Sequence, residues 1–160
     1  MQELPKSNSG ENSTTQRRQH FRVPVTPMLG ITLKLWRLPH GESFNVKPLP
    51  SWEIKASIRE VSQGGLSLTV AGVEGVPIQI SADERVKAEI TYREGTFVLE
   101  GKLRRTSVSI QPGGVQLTGV QFRPRSSDKN SREAMSHIKD IVGMAQRAQL
   151  RARAYPTPAA

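Results

Sequence analysis

Apolar residues recur at every second position through most of the chain, and that spacing restricts the fold more than any other feature. Ile31, Leu33 and Leu35 interleave with Thr32, Lys34 and Trp36, and Trp52, Ile54, Ala56 and Ile58 interleave with Glu53, Lys55, Ser57 and Arg59. Leu66, Leu68 and Val70, then Val86, Ala88, Ile90 and Tyr92, repeat the scheme, as do Phe97, Leu99 and Leu103 on either side of Gly101. Successive side chains of a strand point to opposite faces, so period two over short segments means half-buried antiparallel strands. Residues suited to reversing the chain lie between them: Pro39 to Gly41, Gly72 to Pro77, Glu94-Gly95 and Pro112-Gly113-Gly114. The Glu94-Gly95 pair suits a tight hairpin between Tyr92 and Phe97. The expectation is a mostly β fold of six to seven short antiparallel strands, a small barrel or sandwich. Closure into a barrel would hide the sheet edges.

The period changes after Arg125. Ala134, Ile138, Ile141, Val142 and Ala145 are spaced to share one face of a helix. Asn130 followed by Glu133 suits an N-cap and its return partner. The chain therefore divides into a disordered arm over 1–15, rich in Ser, Asn and Thr, and a β-barrel over 16–127. A C-terminal helix over 128–150, laid across an open end of the barrel, and a flexible tail over 151–160 complete it.

The formal net charge of +9 points to an anionic partner: nucleic acid, a phosphorylated small molecule or an acidic protein surface. With no cysteine, disulfides, thiolate–zinc sites and cysteine nucleophiles are excluded. The first residues lack the apolar core of a secretory signal, and no apolar run reaches the ~20 residues a bilayer span needs, so a cytoplasmic protein is expected. Catalysis finds no support. His20, His40 and His137 lie far apart, Ser136 and His137 are helical neighbours pointing to different faces, and the GVEGVP stretch lacks the lysine and Ser/Thr of a phosphate-cradling loop. A binding protein with neither metal nor cofactor is expected.

Two stretches carry the binding chemistry. Arg17, Arg18 and Arg22 cluster just ahead of the first apolar segment, with Arg18 and Arg22 in RxxxR spacing. Glu60-Val61-Ser62-Gln63-Gly64-Gly65 lies between two alternating strands. Arginine offers a planar fork of donors that holds guanine O6 and N7, stacks on purines and pairs with phosphate oxygens. Ser62 adds a small hydroxyl, and Gly64 and Gly65 let backbone approach closely. His20 and Phe21, between the arginines, are expected to orient or anchor the loop. Arg104-Arg105 and Arg123 with Arg125 are read as a solvated face.

In this order and strand context, the RxxxR segment and the ExSxxG turn resemble the PilZ domain, which binds the bacterial second messenger cyclic di-GMP. The late segments EGKLRRTSVS and GVQLTGVQF, followed by a helix, extend the resemblance over roughly Gln16 to Ala145. It implies a PilZ-like β-barrel whose motif arginines wrap an intercalated dimer of the ligand. By position, Arg18 and Arg22 match the arginines, Ser62 the serine and Gly65 the glycine; Arg17 adjoins them, and Gly64 is read as a turn glycine at an unusual backbone angle. Glu60 stands where the family has Asp or Asn, which keeps a carboxylate but moves it one methylene outward. With no output domain expected, the signal would pass to a protein effector, the family's usual ones being motility, adhesion or exopolysaccharide machinery. The alternatives are a degenerate PilZ adaptor that binds protein without nucleotide and a basic nucleic-acid-binding barrel. The sequence lacks the aromatic platforms of single-strand binders, which disfavours the latter.

Overall fold

The alternating segments fold as antiparallel strands. The computed structural model describes residues 21–104, 110–125 and 127–154. The arm over 1–15, together with Arg17, Arg18 and His20, lies outside the described residues, as do Arg105 and the tail from 155 onward. Six strands span six residues or more: β2 (Thr32–Arg37), β4 (Ala56–Val61), β5 (Gly65–Val70), β6 (Arg85–Tyr92), β7 (Gly95–Arg104) and β9 (Val115–Phe122). Three two-residue strands, β1 (Val23–Pro24), β3 (Glu53–Ile54) and β8 (Ile110–Gln111), complete the sheet among the described residues.

The sheet runs β1-β4-β5-β9-β7-β6-β2-β3, with β8 beside β9. Its ends, β1 and β3, are not joined by a ladder. However, β3 passes into β4 across the single residue Lys55, whose carbonyl accepts the Ala71 N–H at 2.8 Å. One stretch thus pairs with β2 at its start and with β5 along its length, which curls the sheet into the expected barrel-like form.

Its interior is filled by the inward residues of the alternation. Leu35, Leu68, Val70, Val86, Ile90 and Leu103 have no exposed surface. Each such leucine, isoleucine or valine contributes roughly 1.5–3 kcal/mol relative to an exposed one. Gly113 and Gly114, at φ 80° and 76°, turn β8 into β9, a conformation that side chains with a Cβ resist. Tyr92 pairs with Gly95, so Arg93 and Glu94 form the β6–β7 turn, one residue earlier than the sequence pair suggested. Arg93 takes the left-handed angle (φ 55°), leaving Gly95 to open β7.

Helix α1 (Lys129–Ala154) buries Ala134, Ile138, Ile141, Val142 and Ala145 against the barrel, contacting β1 and β7. Its start differs from expectation. Asp128 Oδ1 accepts the Asn130 N–H at 3.1 Å, so Asp128 caps the helix and Asn130 sits inside the first turn. A carboxylate immediately before the helix also suits the positive end of its dipole. Glu133 is left to face Lys129 at 3.9 Å on the surface. The helix also continues four residues past 150, through alanines and arginines that favour it. An aromatic cluster pins it down. Phe97 stacks on His137 at 5.1 Å, and the Tyr92 hydroxyl lies 2.6 Å from His137 Nδ1 and 3.4 Å from Asp140 Oδ2. Among the described residues no helix is long and apolar enough to cross a membrane.

Candidate functional site

The turn between β4 and β5 is built around Ser62. Its backbone N–H donates to the Gly65 carbonyl at 2.9 Å, and its Oγ accepts the N–H groups of Gly64 and Gly65 at 3.1 and 3.2 Å. Ser62 is only 8% exposed. The hydroxyl read from sequence as a ligand contact therefore already caps its own turn, which fixes the loop's shape.

The two glycines bind this turn to β9. The Gly64 carbonyl accepts the Phe122 N–H at 2.9 Å. Gly64 is not among the glycines at positive φ, contrary to expectation; its place is secured by these bonds to Ser62 and Phe122. Gly65 pairs with Gln121, and a Cβ there would lie 2.0 Å from the Val120 carbonyl oxygen. The close approach that calls for glycine is thus one between two strands of the barrel.

The segment that follows the arginines lies along β4. Val23 pairs with Val61, Pro24 with Glu60, and the Val25 N–H donates to the Arg59 carbonyl at 2.9 Å. Directly opposed residues of an antiparallel pair share a face. Val23 and Val61 are accordingly both buried in the core, while Pro24 and Glu60 lie on the outer face. Arg22 directly precedes Val23 and Ser62 directly follows Val61, so the Val23–Val61 pair brings both to the same end of β1 and β4. Arg22 is exposed. Phe21 is 84% exposed and anchors nothing among the described residues; the anchor is Val23, at 2%. Arg22, Glu60, Ser62, Gly64 and Gly65 therefore come together at one end of the β1–β4–β5 surface.

Sequence reading missed one residue here. The β4–β5 register slips between Ile58, opposite Leu68, and Glu60, opposite Ser67. Arg59 is the extra residue of a β-bulge, a device that re-aims side chains next to sites. Its Nη1 lies 3.5 Å from Ser67 Oγ. The signal was present in the sequence: apolar Ile58 is followed by apolar Val61, three positions on, where strict alternation requires two. Of the late basic residues, Arg104 faces Asp83 at 3.3 Å and Arg125 faces Glu100 at 3.1 Å. Arg123 Nη2 donates to Gln121 Oε1 at 3.4 Å. No group of three His, Cys, Asp or Glu able to hold a metal occurs among the described residues.

Residues 16–141 match the family model of the PilZ domain. This chain belongs to the PilZ domain family. A solved structure described as the PilZ domain with c-di-GMP of YcgR from Escherichia coli superimposes with a TM-score of 0.54. It has 16% sequence identity, over 89% of this chain and 100% of that one. At that identity the likeness is one of fold. No curated protein matches the sequence. The matched span covers the arginine segment, the whole barrel and the first half of α1.

Proposed function

We propose that this PilZ domain is a non-enzymatic receptor for cyclic di-GMP and passes the signal to a protein partner by conformational change. The observation that supports this reading is the Val23–Val61 pair, which joins the strand directly after Arg22 to the end of β4 from which the Ser62–Gly65 turn leaves. The YcgR domain, similar in fold, is described with the same ligand. Arg18 and Arg22, with Arg17 beside them, grip the phosphates and the guanine acceptor edges. Glu60 receives guanine N1–H and N2–H from the barrel side. Ser62, Gly64 and Gly65 supply a firm, closely packed floor.

The route for a signal is short. β1 is held by two residue pairs, and Val23, directly after Arg22, is buried where α1 meets β1. A ligand that draws the arginines onto the turn pulls on this strand and, through it, on the helix. Differential contacts with the drawn and undrawn arm supply the free energy of the switch. The closed arm and ligand together form the surface that a partner, in motility or exopolysaccharide machinery, recognises.

Calorimetric titration with cyclic di-GMP tests the reading. Saturable binding is expected, weakened at least tenfold by Arg22→Ala with the melting temperature unchanged. No heat at high micromolar ligand would favour the adaptor reading. A gel shift with DNA or RNA that weakens steeply with salt would instead favour nucleic acid.

A further inference from the structure

The bulge in β4 gives the site a feature that the two sequence motifs do not describe. A regular strand would send Arg59 and Glu60 to opposite faces of the sheet. Here both stand against one partner residue, Ser67, because Glu60 pairs with it and Arg59 is the extra residue beside that pair. The half-buried Glu60 and the exposed Arg59 thus share the outer face next to the turn. The Arg59 guanidinium reaches toward Ser67 Oγ, at 3.5 Å, a long contact that engages one of its donors and leaves the others open. Neither Arg59 nor Glu60 forms a salt bridge among the described residues. A carboxylate with no hydrogen bond and a guanidinium with only that one, among the described residues, therefore stand side by side.

A guanine base complements that pair. It carries N1–H and N2–H donors on one edge and the O6 and N7 acceptors on the next. A carboxylate accepts from the first, and an arginine fork donates to the second. Adenine fails both tests: its N1 bears no hydrogen, and its N6 amino group replaces the O6 acceptor.

We propose that Arg59 is a further ligand-contacting residue, which reads the O6/N7 edge of the guanine whose other edge Glu60 takes and makes the site guanine-selective. The inference rests on the cyclic di-GMP reading above and assigns selectivity to a residue outside both motifs. The Arg59 carbonyl holds β1 through Val25, so its backbone shapes the site while its side chain reads the ligand. Side-chain substitution leaves that backbone bond in place.

The test is titration of the unsubstituted chain, Arg59→Ala and Arg59→Lys with cyclic di-GMP, and with its adenine counterpart cyclic di-AMP as competitor. Melting temperatures are recorded for all three. Arg59→Ala is expected to weaken cyclic di-GMP binding about ten- to hundredfold and to leave the affinity for cyclic di-AMP, derived from the competition, unchanged. Arg59→Lys is expected to recover little of the loss, since a point charge does not replace a bidentate fork. Unchanged cyclic di-GMP affinity in Arg59→Ala overturns the inference alone. So does equal weakening of both ligands, or full recovery by lysine, since either reduces Arg59 to a general attraction for phosphate. Absence of cyclic di-GMP binding by the unsubstituted chain overturns the underlying reading as well.

Discussion

The β6–β7 hairpin under α1 and the β1–β4–β5 edge come from the same alternating pattern, yet they differ in how many of their charges pair within the fold. At the hairpin Arg85, Glu100 and Arg104 are paired within the fold. Arg85 pairs with Glu100 at 3.1 Å, and Arg85 Nη1 also donates to the Glu42 carbonyl at 2.9 Å. Tyr92 bonds to His137 on the helix. At the other edge, Arg22, Arg59 and Glu60 have no ion-pair partner among the described residues, and the strand beside them is held by two residue pairs. A region whose polar groups bond to one another stabilises the fold. A region that leaves them open keeps them available to a ligand, as the proposed function requires.

Substitutions on the two sides can break or sharpen that contrast. The largest effect on stability is expected from Ile138→Ala, which empties a site with no exposed surface where α1 meets the barrel. Denaturant unfolding should show a loss of about 3 kcal/mol. A loss under 1 kcal/mol would mean that the helix is only loosely attached.

Gly65→Ala comes next and separates packing from ligand approach. Its new Cβ would meet the Val120 carbonyl at 2.0 Å, so β5 and β9 must move apart, at a cost of about 2 kcal/mol. If the melting temperature held while binding fell, Gly65 would serve the ligand instead of the sheet.

The smallest effect is expected from Tyr92→Phe, a loss of about 1 kcal/mol as the bond to His137 disappears. Burial, and secondarily the Asp140 carboxylate, raises the Tyr92 pKa above 10.0. The unfolded chain then ionises first, so the tyrosine's contribution is complete below pH 10 and fades as pH rises through the higher folded value. The stability gap between the parent and Tyr92→Phe should therefore narrow above pH 10. A gap independent of pH would contradict the burial argument.

Most of the fold was legible because alternation depends on the pleat alone: Val86, Ala88, Ile90 and Tyr92 go inward wherever the strand lies. What the pattern missed depends on backbone details that one residue type does not reveal. Asp128 and Asn130 both suit a helix start, and only the chain's path into α1 selects Asp128. Ser62 and Gly65 were visible as a motif, but their internal bonds to Gly64 and Val120's strand are set by the close contact with β9. The bulge at Arg59 was written in the Ile58–Val61 spacing, which reads as noise until the register with β5 is known.

The most direct test of the contrast is to add cyclic di-GMP to the ¹⁵N-labelled protein and follow its backbone amides by NMR. The amides of Arg22, Ser62, Gly64 and Gly65 should shift most, with those of Arg93, Glu94 and Gly95 nearly still. Large shifts confined to the β6–β7 hairpin, with the Ser62–Gly65 turn unmoved, would contradict the account.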